Sequence, residues 1–252
     1  MLIPARSGAE NMARDTALME RARESGEYVF SVYSWTVPTL SLGRNQTARG
    51  RYDPVAIRRH GLDVVRRPTG GRALLHHREV TYSVTAPAND GEPLRDTFSR
   101  INRILIGGLF RLGVSATEAR STGPAPRPGN LPCFAAPAEG ELVTAGGKIA
   151  GSAQVREAGA LLQHGSILID DDQPLIAELL GATGPDVESV PAATLRAALG
   201  RAPSVSEVAS ALFDAVRQLE DADALQMAEA DVQQATTRHL ERYASERWTW
   251  RM

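Results

Sequence analysis

The chain's one cysteine, Cys133, stands fifteen positions ahead of Lys148. A thiol beside a cation has a lowered pKa and is a nucleophile for acyl groups. A lysine held in a fixed place can bind a polarised carbonyl oxygen or, when desolvated, exchange a proton near neutral pH. Lys148 follows Gly146-Gly147 and opens the run Ile149-Ala150-Gly151-Ser152-Ala153-Gln154. The paired glycines are a two-residue hairpin signal, so the lysine is expected at the start of a strand. The small residues behind it leave room for a ligand to lie against backbone. Taken alone, the lysine also fits an exposed hairpin position, and the cysteine an inert buried thiol.

Two further segments carry polar groups in suggestive places. Arg66-Arg67-Pro68-Thr69-Gly70-Gly71-Arg72-Ala73-Leu74-Leu75-His76 runs a strand into a glycine pair flanked by three arginines. N–H groups of such a turn can approach an anion closely, and arginines add donors for phosphate or carboxylate. A turn with solvated arginines fits the same residues equally well. Gln163-His164-Gly165-Ser166 interrupts an apolar strand. Buried polar groups there either bond internally or face a site, and a satisfied structural histidine is the simpler reading of His164, as of His76 and His77.

The elements that must position these groups follow from periodicity and punctuation. Helices are expected at residues 8–24, 54–60, 94–112, 174–180, 192–199, 204–219 and 227–243. Strands are expected at 28–33, 39–42, 63–65, 79–85, 141–145, 148–155 and 160–169. Residues 121–132 hold four prolines and two glycines and read as a long loop. Strands in the middle with helices at both ends imply an α+β fold, a mostly antiparallel sheet flanked by helices. Residues 1–252 are expected to form a single domain, with 171–252 as a candidate small helical C-terminal extension.

Bulk properties exclude several classes. The net charge is −2, so no overall field favours nucleic acid or a membrane surface. One cysteine permits neither an intrachain disulfide nor a cysteine zinc cluster, and no metal site is expected. No apolar stretch approaches the ~18–20 residues that span a bilayer, and the opening residues lack the apolar run of a signal peptide. A lone thiol suits a reducing compartment, so a cytoplasmic location is expected.

Taken together, the segments resemble the lipoate–protein ligase and octanoyltransferase family, which shares its catalytic domain with biotin–protein ligases. The matching pieces occur in order: Asn11 to Asp15, the strand and turn at 35–46, the RRxTGG loop at 66–76, GKIAGSAQ at 147–154, QHGSIL at 163–168 and the YASERW tail at 243–248. The resemblance covers nearly the whole chain. It implies a biotin/lipoate ligase-like catalytic domain, with Cys133 and Lys148 catalytic. It implies substrate contacts from Arg66, Arg67, Thr69, Gly70, Gly71, Arg72, Ala73, His76, Gly151, Ser152, Ala153, Gln154 and His164. Arg72, where ATP-dependent ligases usually carry a third glycine, and the Cys-Phe-x-x-Pro segment resemble the octanoyltransferases that act on the glycine cleavage H protein. The segment after Cys133 departs from their pattern, being less polar.

The implied reaction moves an octanoyl (or lipoyl) group from acyl carrier protein, through a Cys133 thioester, to a lysine of a lipoyl domain or the glycine cleavage H protein. No cofactor is then needed. Backbone N–H groups at Gly70-Gly71 or Gly151-Ser152 are expected to face the oxyanion. Gly71, Ala73, Gly151 and Ala153 are expected to line an acyl slot. Arg66, Arg67 and Arg72, with Arg51, Arg58 and Arg59, are expected to meet acidic carriers. The rivals are an ATP- and magnesium-dependent lipoate ligase that uses no cysteine, and a non-catalytic protein that binds an acyl chain or carrier domain.

Overall fold

The structure is a computed structural model, and it describes residues 1–88, 91–120, 134, 138–181 and 191–252. Cys133 and the whole of the long loop at 121–132 lie outside the described residues. The elements in chain order are α1 (Gly8–Ser25), β1 (Val29–Tyr33), β2 (Thr39–Leu42), α2 (Pro54–Arg59), β3 (Asp63–Arg66), β4 (Leu74–His76) and β5 (Glu79–Pro87). They continue as α3 (Leu94–Arg111), β6 (Thr117–Glu118), β7 (Leu142–Thr144), β8 (Gly147–Glu157), β9 (Ala160–Leu168) and α4 (Leu175–Glu178). The last are α5 (Leu195–Leu199), α6 (Val205–Leu219), α7 (Ala230–Ala244) and α8 (Glu246–Thr249).

Six strands form one antiparallel sheet in the order β1-β5-β9-β8-β7-β6. A smaller sheet, β3-β2-β4, holds the segment at 66–76, with β2 parallel to β3 and antiparallel to β4. The α+β expectation with a mostly antiparallel sheet is what the structure shows.

Each face of the large sheet is covered for a reason visible in the residues. On one face, Val80, Tyr82 and Ile167 pack with Ile101, Leu105 and Leu109 of α3 and Val208 and Leu212 of α6. Gly108 lets these two helices meet closely, since a Cβ there would sit 2.6 Å from Leu212. The other face lies under α1. That helix starts in a capping box of Ser7 and Glu10 and stops at Gly26, whose φ of +76° a side-chain-bearing residue rarely adopts. α7 closes over α1, where Tyr243 joins Met12, Ala13 and Val65.

Several expected boundaries shift. The lysine hairpin turns at Ala145-Gly146, because Thr144 pairs with Gly147; Gly147 is the first strand residue, with φ +114°. Helices expected at 174–180 and 192–199 shrink to α4 and α5. β4, β6 and α8 are too short for periodicity to reveal.

Candidate active site

The Lys148 side chain is aimed by a β-bulge. Leu142 of β7 pairs with Ala150, yet its neighbour Val143 pairs with Lys148, so Ile149 is an extra residue on β8. Such an insertion slips the period-two alternation by one. Ile149 and Ala150 therefore both sink into the core beneath α3 and α6. Lys148 is turned to the opposite face, which it shares with Gly151, Ala153, His164, Ser166 and Leu168. Its Nζ stands 4.7 Å above the ring of Phe134, which packs against Leu74 and Leu168. Nζ also donates to Glu141 Oε1 at 2.7 Å. Lysine and glutamate are only 2% and 8% exposed, so the pair is buried and each charge depends on the other.

The loop after β3 lies across the same face. Thr69 Oγ1 is 2.6 Å from Nε2 of His164, whose Nδ1 is 2.8 Å from Asp15 Oδ2 on α1. The Tyr33 hydroxyl donates to the same carboxylate oxygen at 2.9 Å. A carboxylate only accepts, so Nδ1 carries a hydrogen and the ring ties α1, β9 and the loop together. Gly71 has φ +96°, and a Cβ on it would lie 4.0 Å from that of Ala153. The loop also presses on the turn after β2: a Cβ at Gly43 would fall 2.0 Å from the Gly71 carbonyl oxygen. β7 ends opposite Ala150, so among the described residues no strand covers the outer edge of β8 from Gly151 to Glu157. A track of small residues, Gly151 and Ala153, thus runs from Lys148 toward Gly71 along an open edge.

Other expected site residues do not join this track. Arg66 is fully buried and donates to the carbonyls of Gly43, Gln46 and Thr249 at 2.6, 2.8 and 2.8 Å. Burial, helped by Arg251 and Arg67, brings its pKa down to about 10. Arg67 donates to the carbonyls of Ser41, Gly70 and Arg72. These two arginines fold the loop from within, so the expectation that they meet acidic carriers is corrected. Ser152 and Gln154 point to the α3/α6 side: Ser152 Oγ is 2.6 Å from the Tyr82 hydroxyl, and Gln154 donates to Gln163. Ala73 packs with Leu40, Leu42 and Leu75 in the core of the small sheet, which removes it from the slot. His76 stacks on Trp35 with ring centroids 4.0 Å apart, and its Nδ1 faces Glu79 at 3.2 Å. Arg72 and Gly70 are half-buried beside exposed Gly71.

Asp15 lies in the opening helix motif but was given no role there, and Glu141 has nothing in its local pattern that separates it from surface acids. One signal was available for Lys148. It is the chain's single lysine, the remainder of the 28 basic residues being arginine. Arginine does not deprotonate in proteins, so Lys148 is the one ε-amine the chain can offer for proton-transfer chemistry.

The octanoyltransferase LipM of Symbiobacterium thermophilum is 38% identical over 224 residues, covering 82% of this chain and 80% of that protein. That of Carboxydothermus hydrogenoformans is 43% identical over 173 residues, covering 66% and 62%. That of Geobacillus kaustophilus is 42% identical over 183 residues, covering 68% and 65%. The chain thus spans somewhat less than two thirds of the latter two proteins. Among solved structures, a lipoate–protein ligase A bound with ATP superposes with TM-score 0.79 at 20% identity, covering 99% of this chain and 97% of that one. A bipartite lipoate protein ligase from Thermoplasma acidophilum, studied with its E2 lipoyl domain, gives 0.77 at 21% identity, covering 99% and 94%. These two establish the fold. Residues 7–217 match the lipoyl protein ligase A/B catalytic domain, and the chain belongs to that family.

Proposed function

We propose that the protein is an octanoyltransferase of lipoate assembly, acting as one catalytic unit over residues 1–252. The observation that carries the reading is the packing of Lys148 Nζ on Phe134. Phe134 is bonded to Cys133, the chain's one thiol. The octanoyltransferase relatives support the choice of acyl transfer over ATP-dependent ligation.

The Cys133 thiolate attacks the carbonyl of an octanoyl thioester on acyl carrier protein. A C–S bond forms, the carrier's C–S bond breaks, and the carrier leaves as a thiol after taking up a proton. The ε-amine of a lysine on a lipoyl domain or H protein then attacks the enzyme thioester. It loses a proton, and Cys133 departs as the amide forms. Exchanging thioester for amide is downhill, so neither step calls for ATP or magnesium. Lys148 holds the carbonyl oxygen as negative charge develops, and Glu141 fixes the ammonium in place. The octanoyl chain lies along Gly151 and Ala153, where each buried methylene contributes ~0.8 kcal/mol. The bond from Thr69 to His164 keeps the Gly70-Gly71 turn against that chain.

Incubation with octanoyl-carrier protein, followed by intact-mass measurement, tests the scheme. An octanoyl adduct is expected on the wild type and absent from Cys133→Ser. An adduct unchanged in that variant refutes it, as would full lipoylation of a lipoyl domain from lipoate, ATP and magnesium by Cys133→Ala.

A further inference from the structure

The described surface has a concentration of positive charge that the proposed chemistry leaves unused. Arg49, Arg242, Arg247 and Arg251, with Ser245 and Trp248, line a pocket of about 520 Å³. All four arginines are exposed, and the lining residues include no aspartate or glutamate. The guanidinium carbons of Arg242 and Arg251 each stand 3.9 Å from the Trp248 ring. Arg251 is held below the ordinary arginine range by partial burial and by its neighbours Arg44 and Arg242. Crowding like charges around one aromatic ring is unfavourable in the free protein and favourable once an anion covers them.

The patch is stitched to the active-site loop. Trp248 Nε1 donates to the Arg66 carbonyl, at the end of β3, at 2.8 Å. The Arg44 N–H donates to the Thr69 carbonyl at 2.7 Å, and Arg251 donates to the Arg44 carbonyl. The Arg44 side chain pairs with Glu157, at the far end of β8 from Lys148. From Ala153, which faces Gly71, five strand residues lead to Lys148, about 16 Å at ~3.3 Å per residue.

We propose that this arginine-ringed Trp248 face docks the acyl donor, an acidic carrier protein. The proposal rests on the octanoyltransferase reading. Reach distinguishes donor from acceptor. A lysine acceptor presents its amine on a four-carbon stem, so the body of its domain must stand close to Lys148. A donor that carries its thioester on a long flexible arm can sit at the patch and thread the arm past Gly71 along Gly151 and Ala153.

Charge reversal tests this, using Arg242→Glu/Arg247→Glu in the full chain. Loading of the protein is followed by intact mass with two donors, octanoyl-carrier protein and octanoyl-N-acetylcysteamine. The carrier-to-small-thioester rate ratio is expected to fall at least tenfold, and the wild-type ratio to fall as salt is raised. An unchanged ratio overturns the proposal. So does normal loading with a selective loss of transfer to a lipoyl domain, which would assign the face to the acceptor. Titrating Cys133→Ser with unacylated carrier protein separates docking from chemistry. Binding that charge reversal abolishes supports the face even where no acyl group moves. A Cys133→Ser protein that fails to bind the carrier removes the docking proposal, whatever becomes of the thioester.

Discussion

The buried pair of Lys148 and Glu141 makes a quantitative prediction. At 2% and 8% exposure the two charges are out of water, and at 2.7 Å each compensates the other. Removing one partner takes away the other's buried counter-charge, which costs about 3–5 kcal/mol for buried pairs. Lys148→Met keeps the stem that packs on Phe134 and strands the glutamate. Glu141→Gln takes the buried carboxylate from the lysine while retaining an oxygen for the Ala138 N–H, which now donates to Glu141 at 2.7 Å. In a chain this long, ~1 kcal/mol moves Tm by about 2–4 °C, so 3 kcal/mol corresponds to about 6–12 °C for either single variant. The double variant removes both charges and is expected to melt no lower than either single one. Thermal and urea unfolding of all four proteins closes the cycle, with a coupling of about 3 kcal/mol or more expected. If the two single effects add within ~0.5 kcal/mol, the pair does not compensate as argued. Acyl transfer measured on the same proteins separates fold from chemistry. Restored stability in the double variant should not restore transfer, because the ε-amine is still missing.

Three other outcomes follow from the geometry. Gly165→Ala puts a Cβ 2.4 Å from the Gly151 carbonyl oxygen and 2.8 Å from the Tyr82 ring, so a loss of about 1–3 kcal/mol in urea unfolding is expected; a neutral effect would mean β8 and β9 are not so close. Arg66→Ala takes its donors from the carbonyls of Gly43, Gln46 and Thr249, of which Gly43 keeps the Gln46 N–H, so about 1–3 kcal/mol is expected for each of the other two, and Arg66→Lys should rescue little because an ammonium lacks the fork; equal stability of Lys and wild type would contradict this. Burial outweighs Glu79 and keeps His76 below the ordinary histidine range. As pH falls below about 6.5, the unfolded chain takes up that proton first, so stability is lost from there down to the folded value and levels off beneath it. His76→Phe should flatten this part of the profile relative to wild type, and an unchanged slope would assign it elsewhere.

How much of this was legible in the chain depends on the range of each interaction. Ser7 and Gly26 bound α1 through contacts within a few residues, so the helix can be read directly. The alternation at residues 79–85 and the turn at Ala158-Gly159 are local in the same way, and the large sheet follows from them. The order of motifs identifies the family without any coordinates. The lone lysine among arginines marks Lys148 by residue type alone.

The direction of Lys148 was not legible. Strict alternation from Ser152 and Gln154 would place it on their face of the sheet. One extra residue, Ile149, reverses it, and that residue is extra only because Val143 and Leu142 pair as they do across the hairpin. Arg66 and Arg67 look like ligand donors in sequence. Their fate depends on carbonyls as distant as Thr249, which packing alone brings within reach. The same holds for Asp15 and His164, 149 positions apart and joined at 2.8 Å. Residue types and local periodicity therefore determine which chemistry the chain can hold. Pairing register and long-range burial decide which side chains share one face, because a strand with period two turns on a single residue.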